Sequence, residues 1–112
     1  MHKIDYIQNL ATATVPLPEI PSDSILSHTI YKDEQVKVIL FSFAATQELS
    51  EHTAAVPAII HVLDGEAEIK VGGELHYSAA GTWMHLPPNM PHTIIAKTPM
   101  TMLLYLLPNK NK

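Results

Sequence analysis

The residues of this chain best equipped for chemistry are its seven histidines, His2, His28, His52, His61, His76, His85 and His92. Imidazole serves both as a ligand for divalent metals and as a proton carrier near neutral pH. The absence of cysteine excludes disulfides, thiolate catalysis and cysteine-ligated zinc or iron–sulfur centres, so any metal rests on His, Asp or Glu. The seven formal cations are all lysine, and without arginine the planar fork that clamps carboxylates and phosphates is missing. A net charge of -4 at pH 7 offers no footprint for a phosphate backbone. Nucleic acid and strongly anionic substrates are therefore disfavoured.

Position along the chain separates the histidines. His92 opens an apolar run in which a period of two places His92, Ile94 and Ala96 on one face. His85 lies one proline-containing loop earlier and shares strand parity with Trp83. It either looks into the same cavity as a third imidazole or is a buried histidine satisfied by a backbone carbonyl. His52 follows Leu49 in a polar loop, flanked by Glu48 and Glu51; each carboxylate offers an oxygen ligand or is simply solvated. His76 alternates with Leu75 and Tyr77 and reads as solvent-facing.

These side chains must be positioned by β-structure. A chain of 112 residues is one domain, and 46% hydrophobic with 16% charged residues suits a globule whose faces are mostly buried. Residues 1–23 carry Pro16, Pro18 and Pro21, which exclude a continuous helix or central strand; they read as an N-terminal arm with a short helical turn at Lys3 to Leu10. Residues 24–108 form a barrel domain, and 109–112 a frayed polar tail. Eight strands are predicted: Ser24 to Tyr31, Gln35 to Phe43, Val56 to Leu63, Glu66 to Val71, Glu74 to Ala79, Trp83 to Leu86, His92 to Lys97 and Met100 to Leu107. Asp64-Gly65 and Gly72-Gly73 are dipeptides favoured in tight turns with positive φ, and both are read as hairpins. No apolar run approaches the roughly eighteen residues of a membrane span, and no leader pattern is present, so a cytoplasmic protein with no membrane partner is expected.

The stretch from His52 through Val56-Pro57 to Asp64-Gly65, then fifteen residues, then Gly81-Thr82-Trp83-Met84-His85-Leu86-Pro87 through to Pro91-His92, resembles the paired sequence motifs of the cupin superfamily, over about residues 36 to 107. The resemblance implies an all-β fold, the double-stranded β-helix or jelly-roll barrel. In its register Thr46 stands at the family's leading glycine, His52 at the first histidine of the HxH pair, Ala54 at the second, Ala58 at the glutamate and Gly65 at the closing glycine. Gly81, Pro87 and His92 fall on the second motif's glycine, proline and histidine, with Asn89 where a glycine is usual. The family typically holds its metal with three histidines and a glutamate; this chain keeps His52 and His92 and has alanine at the other two places. Leu49 to Thr53 and Leu63 to Ala67 are similar to a group of small single-domain bacterial cupins. The same register turns Ala58, Ile60 and Val62 inward and Ile59, His61 and Leu63 outward, which makes His61 a packed interface histidine.

Protein sites for first-row divalent ions commonly use at least three protein ligands, with imidazole nitrogen at roughly 2.0 to 2.1 Å. His52 and His92 alone make a weak site; His85 or Glu48 would have to complete it, in a pocket lined by Ala54, Ala58, Ile60, Trp83 and Ile94. The expectation is a mononuclear divalent-metal site (Fe, Mn, Ni, Cu or Zn) in an oxygenase- or isomerase-like protein acting on a small apolar or aromatic molecule. The competing reading is a metal-free module for a small-molecule ligand, because two alanines enlarge and dry the pocket. The exposed edges of a half-open barrel, with Ile39, Phe41, Ile59, Leu63 and Leu104 turned outward, predict a homodimer.

Overall fold

The computed structural model describes residues 19–108, so the expected helical turn at Lys3 to Leu10, most of the arm and the tail at 109–112 lie outside the described residues. Runs of β-branched and aromatic residues between turn residues become nine strands: β1 (Ile25–Lys32), β2 (Lys37–Phe43), β3 (Glu48–His52), β4 (Ala58–Asp64), β5 (Glu66–Val71), β6 (Glu74–Ala79), β7 (Trp83–Leu86), β8 (His92–Ala96) and β9 (Met100–Leu106). Strands β5, β6 and β7 match the predicted bounds residue for residue, and β3 is an addition. The strands pair antiparallel in two sheets, sheet A in the order β1-β2-β9-β4-β7 and sheet B in the order β3-β8-β5-β6, which is the expected jelly-roll arrangement.

Of the two predicted hairpins, one forms. Gly72 and Gly73, at φ 56° and 90°, join β5 to β6, with Val71 paired to Glu74; positive φ at both central residues gives the turn the twist that hairpins need. Asp64-Gly65 is a corner instead, because β4 belongs to sheet A and β5 to sheet B. Gly65 has φ 83°, and a Cβ there would run into the carbonyl oxygen of Pro99. The glycine is thus required by close backbone approach as well as by its dihedral.

The core lies between the sheets. Phe43, Ile60, Val62, Ile69, Ile94, Met100 and Met102 are buried, and Ala58, Ala67 and Ala96 fill the spaces among them. The inward set Ala58, Ile60 and Val62 is as the alternation predicts. The outward set needs correction: Ile39, Phe41 and Leu104 pack against this interior cluster, whereas Val38, Leu40 and Leu103 form a second buried cluster with Leu63 and Tyr105 beside it. Strands β2 and β9 are apolar on both faces, so alternation carries no phase there; the pairings Ile39 to Leu104 and Leu40 to Leu103 set it. No helix among the described residues is long and apolar enough to cross a membrane.

Candidate functional site

The site begins with an irregularity in β3. Leu49 is paired with Ile94 and His52 with His92, so three residues on β3 span two on β8. In a regular strand Leu49 and His52 would point to opposite faces; the bulge inserts one residue and returns His52 to the face of Leu49, which packs on the core. His52 and His92 are thereby direct cross-strand neighbours, with ring centroids 4.1 Å apart and planes tilted by 60°. His92 is 4% exposed and His52 half-buried. The expected polar loop around His52 is therefore the end of a strand.

Each ring is held by the same local device. His52 Nδ1 lies 2.8 Å from the Ser50 carbonyl oxygen and His92 Nδ1 lies 3.0 Å from that of Met90. A carbonyl only accepts, so Nδ1 carries the hydrogen in both rings and Nε2 carries the lone pair. Met90 is itself fixed: its sulfur lies over Gly72, the Gly72 N–H donates to the Pro91 carbonyl at 2.8 Å, and the Asn89 N–H donates to the Ala54 carbonyl at 2.7 Å. Burial pushes the His92 imidazole below its ordinary value, and the neighbouring His52 adds to this; the hydrogen bond to Met90 acts in the opposite direction. His92 is thus biased toward its neutral form, with Nε2 as the acceptor.

The remaining expected site residues are dispersed. Ile60 and Ile94 are in the core, Ala58 is buried and Ala54 is half-buried. His85 does not join the pair: Met84 and Leu86 pack inward, so parity sends His85 and Trp83 to the outer face of sheet A, opposite Ile59 and His61. Glu48 is exposed and paired with Ile95, which faces away from the core. His61 faces outward as expected. His76 is exposed but not directed to open solvent alone: paired with the buried Ile69, it takes the inner face of sheet B. The alternation of Leu75, His76 and Tyr77 carries the signal for this, once Ser78 is recognised as the buried member of the strand.

Among the described residues no group of three or more His, Asp or Glu side chains is placed to hold an ion, and the two positions that complete the family's ligand set are Ala54 and Ala58, which have no donor atom. Two imidazoles fall short of the three protein ligands that such sites commonly use.

A family model described as a cupin domain matches residues 39–106. Among curated protein sequences none matches. Solved structures do. A cupin superfamily protein from Desulfitobacterium hafniense is similar at 25% identity with a TM-score of 0.77, over 81% of this chain and 84% of that one. A conserved protein of unknown function from Streptococcus pyogenes is similar at 26% identity with a TM-score of 0.78, over 99% of this chain and 98% of that one. A cupin 2 conserved barrel protein from Leptotrichia buccalis is similar at 30% identity with a TM-score of 0.78, over 90% of this chain and 47% of that one.

Proposed function

The chain belongs to the cupin family, and from that premise we propose that it is a small-molecule-binding cupin whose working group is the His52–His92 pair, acting without a resident metal. One observation carries this reading: both Nδ1 atoms are committed to backbone carbonyls, which leaves an Nε2 lone pair on each of two neighbouring rings. The matching ligand therefore presents a hydroxyl, an amide or another N–H to the pair. Where that hydrogen is acidic, the same neutral imidazole accepts it as a general base, and its lowered pKa keeps it in the accepting form. Ala54 and Ala58, at the places where the family carries metal ligands, bring no donor atom to the pair.

The test is a calorimetric titration of tag-free, dialysed protein with zinc, manganese, iron(II), nickel and copper, run beside a thermal-shift screen of hydroxylated aromatic compounds. The expected result is no stoichiometric metal uptake and stabilisation by a subset of the compounds, about 2.7 kcal/mol at a hundredfold excess over Kd, lost in His92→Ala. Stoichiometric metal binding abolished by both His52→Ala and His92→Ala would overturn the metal-free reading.

A further inference from the structure

We infer that β6, an edge strand of sheet B, is the surface on which a second copy of this chain docks, the two β6 strands pairing antiparallel about a two-fold axis at His76. Among the described residues the sheets leave β1, β7, β3 and β6 at their edges, and an unprotected edge is a template for another strand. Three of the four carry protection. A register shift between Thr29 and Tyr31 breaks β1; β3 is bulged and bears the exposed Glu48 and Glu51; β7 is four residues long and runs into Pro87 and Pro88. Strand β6 has none of these. Its register against β5 is unbroken from Ala79 to Glu74, it holds no proline or lysine, and Leu75 and Tyr77 stand 59% and 63% exposed on its outer face. The Tyr77 hydroxyl donates to the Glu66 carboxylate on β5, which leaves the ring beside the strand edge.

The backbone selects the register. Val71 and Glu74 close a two-residue turn, and the closing pair of such a hairpin is hydrogen-bonded. Glu74, His76 and Ser78 therefore turn their N–H and C=O groups to β5, and Leu75, Tyr77 and Ala79 turn theirs to the free edge. Ala79 is already satisfied there, since its N–H donates to the Thr82 hydroxyl at 3.1 Å and its carbonyl accepts from the Thr82 N–H at 3.0 Å. Leu75 and Tyr77 remain, and setting Leu75 opposite the second copy's Tyr77 satisfies the backbone groups of both. It also makes two aliphatic–aromatic cross-strand pairs on the outer face. The charges agree with this register. Glu74 meets the second copy's Ser78, and the two His76 side chains meet at the axis, each with its own Glu74 carboxylate 3.5 Å from Nε2, so no like formal charges are set opposite one another.

The chain has no cysteine, so His76→Cys carries the sole thiol of the molecule. Directly opposed residues of a non-hydrogen-bonded pair have Cα atoms about 4.5 Å apart, inside the range that a disulfide spans. With oxidised glutathione, His76→Cys is expected to form a covalent dimer at least tenfold faster than Leu26→Cys on the β1 edge. Leu75→Pro removes an N–H that the ladder to β5 does not use, and Leu75→Lys places a charge against the second copy's Tyr77. Both are expected to shift the dimer to monomer in light scattering, with the far-ultraviolet circular dichroism of the parent; Leu75→Lys carries the test if the proline variant does not fold. A monomeric parent, or equal cross-linking of His76→Cys and Leu26→Cys, overturns the proposal. A parent and a Leu75→Lys variant that are equally dimeric overturn the β6 pairing and leave a homodimer through another surface.

Discussion

A buried imidazole that must stay neutral ties the stability of the molecule to pH, and His92 sets the sign. Its folded pKa lies below the ordinary 6.5, from burial first, so between the two values the unfolded chain binds more protons. The stabilisation is therefore complete above about pH 6.5 and is lost as pH falls toward the folded value. The melting temperature is expected to fall between pH 7.5 and 5.5 more steeply in the parent than in His92→Phe; parallel slopes would contradict this. A second residue under strain is Thr46, held at φ 69° at the place where the family carries glycine. A left-handed conformation costs a β-branched residue about 1–2 kcal/mol, against about 0.5–1 kcal/mol for the added backbone freedom of glycine. Thr46→Gly is expected to raise the unfolding free energy by up to about 1 kcal/mol, read as a higher urea midpoint with an unchanged slope, and a lower midpoint would refute the strain. The sequence makes both residues legible, His92 by motif and alternation and Thr46 by register. The partners of the rings are not legible, because backbone carbonyls leave no side-chain signature.

Strands decide which of these residues meet, and here alternation serves unevenly. It places Ala58, Ile60 and Val62 correctly on β4 because the cupin register supplies the phase, which a strand apolar on both faces does not. It leaves His85 open because β7 is four residues long and mixes Met84 with Trp83, and only the pairing with β4 fixes the phase. It misses β3 altogether, since Glu48-Leu49-Ser50-Glu51-His52 is polar and bulged and has no regular period. The corner at Gly65 gives a test at this scale. Gly65→Ala adds a Cβ against the Pro99 carbonyl in a left-handed conformation and is expected to cost about 2–4 kcal/mol in urea unfolding. Gly73→Ala, at φ 90° with open space around the new Cβ, carries the dihedral strain alone and is expected to cost about 1–2 kcal/mol. Equal costs would mean that the close approach at the corner is unimportant.

The whole molecule joins two sheets whose facing sides make the core, and neither the sheet order nor the conversion of Asp64-Gly65 from hairpin to corner can be read from local turn chemistry. Composition and motif spacing reach the fold; long-range pairing supplies the site, since His52 and His92 lie forty residues apart and meet only because β3 and β8 are neighbours. Among the described residues four strand edges are unpaired, that of β1 bearing the exposed Leu26, and we propose a two-fold homodimer on that ground. Light scattering should give twice the 12.4 kDa chain mass, and a monomer at micromolar concentration would refute it. Two neighbouring rings that both offer Nε2 as an acceptor are the central feature of the molecule. Long-range proton–nitrogen correlation spectra of the histidine side chains test this most directly. At pH 7.5 both His52 and His92 should appear as the Nδ1–H tautomer with contacts between their ring protons, and His92 should titrate below 6.5. An Nε2–H tautomer at either ring, or rings without mutual contact, would contradict it.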